Sequence, residues 1–253
     1  MILVAAGDSF VWGVDLNDCS SYSGNGYSQQ VWPALLANEY QMEYRCIAKS
    51  GSSNESIVRE VIHQCETNSA DKIVVVQWTF PWRFSFRYAE PINWLDIDLY
   101  VHTNRFTNPQ IELENQRLKK LGITEFIYEF YKVLGTTEYW PVYTTLKEII
   151  LLQSYLKSKN IRYMFTAVDS SIFFNHTISK PTDLYVKQLY DQIDMATWAW
   201  FDAGIDNQPR GFYQWATENK YNVGASSHPL EGAHRAAAFL LKEKFDELVT
   251  KHN

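Results

Sequence analysis

Short apolar runs that end in polar turns, each followed by apolar positions at helical spacing, recur along the chain. Met1 to Ala6 is the first run; it stops at Gly7, and Asp8 and Ser9 follow on the turn. Tyr44 to Ala48 is the second and ends at Lys49-Ser50-Gly51-Ser52-Ser53-Asn54. Lys72 to Trp78 contains Ile73-Val74-Val75-Val76, the continuous β-branched run of a strand buried on both faces. Ile161 to Ala167 is the fourth and ends at Asp169-Ser170-Ser171.

Between these runs the spacing turns helical. Val31, Trp32, Leu35 and Leu36 give Tyr27 to Tyr40 one apolar face, with Pro33 either interrupting that helix or starting it. Ile57, Val58, Val61, Ile62 and Cys65 form the stripe of the next helix, with Asn54 as its N-cap. Tyr143 to Leu156 follows, then helical patches at Asp183 to Phe201 and around Phe212 to Asn219. A last helix is predicted from Pro229 to about Val249, with His228 at or beside its N-cap. Strand and helix in alternation predict a doubly wound α/β sheet in one domain over 1–253, with its site at the carboxyl ends of the strands.

The alternation lapses from about 84 to 141. Trp94, Tyr100, Phe106, Phe126, Tyr128, Phe130, Tyr131, Tyr139 and Trp140 crowd this stretch. It reads as an aromatic-rich insertion with helical pieces, lying over the strand ends or forming an interface.

Composition narrows the partners. A net charge of -6 argues against a general binder of nucleic-acid backbones. Three cysteines, Cys19, Cys46 and Cys65, show no paired spacing and read as reduced thiols. No apolar run has the length of a signal peptide core or a membrane span. The expectation is a cytoplasmic protein, or one carried out of the cytoplasm in a larger particle, with no membrane partner and with homo-oligomers left open. Nine Trp, sixteen Tyr and fourteen Phe suit a core, an interface or a sugar-binding surface, and composition does not choose among them.

The chemistry lies at the two ends. Ser9 sits where a strand feeds a helix start, so free backbone N–H groups and the helix dipole favour negative charge beside its hydroxyl. His228, held by Pro229, has a fixed backbone and a side chain free to reach across the sheet. Gly24-Asn25-Gly26 lacks the third glycine and the preceding strand of a dinucleotide loop. His234, six residues beyond His228, does not fit the helical pairing of a metal site, so neither metal nor organic cofactor is expected. His63 and His102 read as surface or helix-face residues, and His176 and His252 as loop and tail residues. Arg83, among Trp78, Trp82 and Phe84, reads equally as a contact for an anionic or sugar substrate and as a salt bridge at the core edge.

Gly7-Asp8-Ser9-Phe10, Ser50-Gly51-Ser52-Ser53-Asn54 and His228-Pro229 together resemble the conserved blocks of the SGNH hydrolase superfamily, the GDSL-type esterases and acyl hydrolases. They fall in the family's order and bracket almost the whole chain. The resemblance implies a three-layer α/β/α sandwich with a mainly parallel, flavodoxin-like sheet. It implies Ser9 as nucleophile, His228 as general base, and the N–H groups of Ser9 and Gly51 in the oxyanion hole. The implied reaction is ester hydrolysis through an acyl-enzyme on a small-molecule or glycan ester, such as a carbohydrate O-acetyl or other short acyl group. The same acyl-enzyme serves transfer to another acceptor.

Two positions depart from the family. Ala225 stands where an acid usually precedes the histidine, so a backbone carbonyl or an acid such as Asp169 is left to orient the ring. Gln77-Trp78-Thr79-Phe80 stands where Gly-x-Asn-Asp is usual. That leaves Asn54 or Thr79 as the third oxyanion donor, and Asp8, Trp78, Thr79 and Arg83 as substrate contacts. The departures also suit a catalytically impaired module with this fold in a larger assembly.

Overall fold

The computed structural model describes residues 1–19, 26–88, 93–98, 116, 118–135, 139–174, 183–202 and 207–250. Gly24, Asn25, Tyr100, His102, Phe106, His176 and His252 lie outside the described residues. So do most of the polar loop after Asn17 and the middle of the 84–141 insertion.

Strand β1 (Ile2–Ala6) leads into the single-turn helix α1 (Ser9–Trp12). Helix α2 (Trp32–Glu39) starts with Pro33 in its first turn, which settles the role of that proline as an initiator. After β2 (Glu43–Cys46) comes α3 (Asn54–Thr67). Its N-cap is Ser53, whose hydroxyl accepts from Ser56 N, rather than the expected Asn54. Strand β3 (Lys72–Trp78) is buried at every position.

The order of the main sheet is β2-β1-β3-β6, all parallel, with β6 (Arg162–Ala167) beyond the insertion. Trp198 extends it past β6 by a parallel bridge to Phe165. This is the doubly wound, flavodoxin-like order, and the chain reverses its direction of winding at β1, where ligands of such sheets bind. The patch expected to be helical from Asp183 to Phe201 divides. A helix spans Leu184–Tyr190 and a 3₁₀ turn Met195–Thr197, and Trp198 then pairs with the sheet.

Side chains alternate across the sheet and build one core on each face. Val4, Ala6, Val74, Val76 and Trp78 pack with Ile57 and Val61 of α3 and with Leu146, Ile149 and Leu152 of the long helix Tyr139–Ser158. Leu3, Ala5, Ile73 and Val75 pack with Trp32 and Leu36 of α2, Phe212 and Trp215 of the helix Phe212–Glu218, and Leu241 and Phe245 of the last helix, Glu231–Thr250. Helices thus cover both faces, making three layers. Truncating a fully buried leucine such as Leu3 to alanine is expected to destabilise by about 2–5 kcal/mol.

Within the insertion, where helical pieces were expected, the structure holds the helix Ile123–Phe130 and also an antiparallel hairpin, β4 (Arg83–Tyr88) and β5 (Asn93–Asp98). Phe84 and Phe86 alternate with polar residues, as do Leu95 and Ile97, and that period of two is the signal for it. Phe84, Leu95 and Ile97 form a small separate core with Leu118, Ile123 and Ile127. The hairpin is tied to the start of α3: Asp96 accepts from Ser53 N (3.1 Å), Ser53 Oγ (2.7 Å) and Ser56 Oγ (2.9 Å). Among the described residues, no helix is long and apolar enough to cross a membrane.

Candidate active site

Gly7 ends β1 where no side chain fits, since a Cβ there would lie 2.6 Å from Val11 Cγ2 and 3.1 Å from Gln77 O. Asp8 caps α1, its Oδ1 accepting from Phe10 N at 3.0 Å. The N–H of Ser9, first in the helix, therefore has no intrahelical acceptor. Gly13, at φ +85°, ends the helix after one turn.

His228 arrives from the other end of the chain, on a loop closed by Gly224 N to His228 O and Leu230 N to Asn222 O, both 2.9 Å. Because residues 222–230 fold on themselves, the last helix starts at Glu231, and His228 lies outside it rather than at its cap. The imidazole packs on Phe10, ring centroids 4.7 Å apart. Its Nε2 is 2.8 Å from Ser9 Oγ.

The other ring nitrogen, Nδ1, is buried and faces Asp15 Oδ2 at 3.5 Å, too long for a formed hydrogen bond. Catalytic contacts are often this loose without substrate. Asp15 takes the left-handed backbone, φ +71°, and its Oδ2 accepts from Ser226 N at 2.7 Å. Gly224 lies against it: a Cβ there would come within 2.3 Å of Asp15 Cβ and 2.6 Å of the carboxylate. Asp15 is the acid behind the histidine, and sequence reasoning missed it. It follows the nucleophile block instead of preceding His228, and no spacing rule links it to His228. Asp169 accepts from Ser171 N (2.7 Å) and Gln214 Nε2 (3.2 Å), and so serves its own turn.

Burial lowers the pKa of His228 below the ordinary histidine value, against the opposing pull of Asp8 and Asp15, so the ring is neutral at pH 7. His234 is fully buried and pushed down to about 3 by burial, with His228 adding to the effect. Its Nδ1 accepts from Trp32 N at 3.2 Å, so it braces α2 against the last helix.

Gly51 takes φ +79°, and a Cβ there would meet nothing within 4 Å. Its loop docks on the nucleophile turn through Lys49 N to Gly7 O, 3.3 Å. Among the described residues the Gly51 N–H has no hydrogen-bond partner. Asn54 does not join it. Its amide donates to Thr79 O (3.3 Å) and Thr145 Oγ1 (3.2 Å) and accepts from Thr79 N (3.0 Å), locking two loops together.

The other residues singled out as substrate contacts lie inside. Trp78 is fully buried against Phe165, and Asp8 is fully buried as well. Thr79 Oγ1 donates to Asp8 Oδ2 at 2.6 Å, and Arg83 Nη1 donates to the same oxygen at 2.7 Å. Arg83 Nε donates to Asp98 at 2.8 Å. With two carboxylates on it, this guanidinium offers no net positive charge to an anionic substrate. The exposed edges near the pair are aromatic instead. Phe80, stacked on Trp82 (4.9 Å), and Tyr213 both pack on Phe10, at 6.4 Å and 5.7 Å, and all three are half-buried. No group of three metal-ligating side chains occurs among the described residues.

No family model matches the chain, and no curated protein matches it in sequence. Solved structures do match it in shape. The psychrotrophic esterase EstA of Pseudoalteromonas sp., solved inhibited by monoethylphosphonate, is similar over 99% of both chains at 11% identity, with a TM-score of 0.50. A lipolytic protein of the G-D-S-L family from Veillonella parvula covers 98% of this chain and 100% of its own at 14% identity and TM-score 0.47. The acetyl xylan esterase Est2A of Butyrivibrio proteoclasticus covers 99% of this chain and 64% of its own at 13% identity and TM-score 0.48. The strand order, the placement of Ser9 at the end of β1 and the likeness along the whole chain agree: the protein has the fold of the SGNH hydrolases.

Proposed function

We propose that this protein is a carboxylic-ester hydrolase that works through an acyl-enzyme on Ser9. The observation that carries the reading is the 2.8 Å contact between Ser9 Oγ and His228 Nε2, with Asp15 behind the ring. A neutral imidazole with its proton on Nδ1, towards Asp15, leaves the Nε2 lone pair for the serine proton. Ser9 Oγ attacks the ester carbonyl as His228 takes that proton, and the N–H groups of Ser9 and Gly51 stabilise the oxyanion. The carbon–oxygen bond to the leaving alcohol breaks as His228 returns the proton to it. Water then attacks the acyl-enzyme with His228 again as base, releasing the acid and restoring Ser9.

Asp8, Asp15 and Asp98 outnumber Arg83 around the pair, which favours uncharged esters over anionic ones. Phe80, Trp82 and Tyr213 suit an apolar or sugar ring. Short acyl esters of small alcohols or sugars are the substrate class, and an esterase, EstA, is among the structural neighbours.

One observation favours a second reading. Asn54 and Thr79 are committed to each other, so neither of these expected donors completes the oxyanion hole, as in an impaired module kept for binding. A fluorophosphonate probe decides between them. Labelling of the native protein that disappears in Ser9→Ala and falls steeply in His228→Ala supports the hydrolase. A folded native protein that takes up no probe refutes it.

A further inference from the structure

We infer that Arg83 is a positioning residue for the Ser9–His228 pair, acting through the buried carboxylate of Asp8; the catalytic part of this inference rests on the hydrolase reading. Asp8 is fully buried, and both its oxygens are in use. Oδ1 holds Phe10 N and so shapes the turn that presents Ser9. Oδ2 takes Thr79 Oγ1 and Arg83 Nη1. Arg83 is the cation beside this buried carboxylate, at 2.7 Å, and offsets its cost of burial.

The cation comes from outside the sheet. Arg83 is the first residue of β4 and pairs across the hairpin with Asp98, the last of β5, which fixes its guanidinium through Nε. The ring of Phe80 lies 5.3 Å from its Cζ. The same Nη1 reaches Thr79 Oγ1 (2.7 Å) and Ser52 O (3.4 Å), one residue from Gly51. The open end of the hairpin thus joins the nucleophile turn, the Gly51 loop and the loop after β3.

This places a defined charge pattern around His228. Asp8 faces it from the cap of α1, Asp15 from the following loop, Arg83 from β4 and His234 from the last helix. Burial keeps the ring a neutral base; Asp8 favours the imidazolium against it, and Arg83 opposes Asp8 more weakly. Removing Arg83 alone unbalances Asp8 and raises the histidine's pKa. Removing Asp8 as well brings it down again. A merely structural Arg83 predicts no such reversal.

The test is an NMR titration of histidine-labelled protein, with His228 assigned by its loss in His228→Gln, comparing native, Arg83→Gln, Asp8→Asn and the double variant. In Arg83→Gln the titration of His228 is expected to move up, and in the double variant to fall back below the Arg83→Gln midpoint while staying above that of Asp8→Asn. Should Arg83→Gln fail to fold, Asp8→Asn against the double variant reads the same charge without leaving a buried Asp8 carboxylate unpaired; the double variant must titrate higher. Equal midpoints in that comparison, or an Arg83→Gln midpoint at the native value, overturn the inference. Fluorophosphonate inactivation should show an acid limb that shifts in step. Coupled titrations in a protein that never reacts with the probe would refute the hydrolase reading while leaving the Arg83–Asp8–His228 linkage in place.

Discussion

Replacing Asp15 by Asn tests the triad with little else disturbed. Asp15 sits at φ +71°, a conformation asparagine tolerates as well as aspartate, and the amide oxygen can still accept from Ser226 N. What is lost is the negative charge 3.5 Å from Nδ1 of His228. With an effective dielectric of about 20, a carboxylate and an imidazolium at that separation attract by about 4–5 kcal/mol. The imidazolium exists only while His228 holds the serine proton, so this attraction stabilises the transition state and not the resting enzyme. At 1.36 kcal/mol for each factor of ten, it corresponds to about a 10³-fold loss of kcat/KM, carried by kcat. The same charge raises the pKa of His228, so its removal moves the acid limb of the pH profile to lower pH. Initial rates on p-nitrophenyl acetate from pH 4 to 9, with thermal unfolding as the control for folding, measure both. A variant within threefold of native activity, or an acid limb that moves up, would show that Asp15 does not orient and stabilise the imidazole.

Two further outcomes follow from the packing and the charges. Gly224→Ala puts a methyl group 2.3 Å from Asp15 Cβ, so Asp15 must shift; activity should fall as in Asp15→Asn, stability by about 1–3 kcal/mol, and the double variant should be no slower than Asp15→Asn alone. Glu55 is pushed up to about 7 by burial, with Glu148 and Asp96 adding to it, while Ser85 N donates to its Oε2 at 2.6 Å. Its folded pKa lies above the unfolded one, so its contribution is whole below about pH 4.5 and is lost as pH rises through 7, about 3 kcal/mol in all. Glu55→Gln should therefore gain stability on native between pH 5 and pH 8 in urea titrations, and an unchanged difference between the two pH values would contradict that burial.

The fold was legible early because its main strands carry their own signals. Ile73 to Val76 is too apolar and too β-branched for any strand but a doubly buried one, and the structure buries every position from Lys72 to Trp78. Boundaries were less legible where tertiary bonds decide them. Ser53 caps α3 because Asp96 of the hairpin holds it in place, and the last helix waits until Glu231 because residues 222–230 close on themselves. The hairpin escaped notice because its alternation is brief and set among aromatics at other spacings.

By itself the sequence determined the layer architecture, the parallel sheet, the serine at the end of the first strand and the histidine near the carboxyl end. Each follows from local periodicity or from a motif a few residues long. Only the tertiary structure decided that Ser9 and His228 meet at 2.8 Å, that Asp15 stands behind the ring, and that Arg83 belongs to Asp8 and Asp98. Those contacts join residues up to 219 positions apart. Asp15 reaches His228 because Gly13 turns the chain and Gly224 leaves it room, and neither glycine names its partner. A charge placed by the crossing of two distant loops leaves no period and no spacing in the chain, so it could be read only once the chain was folded.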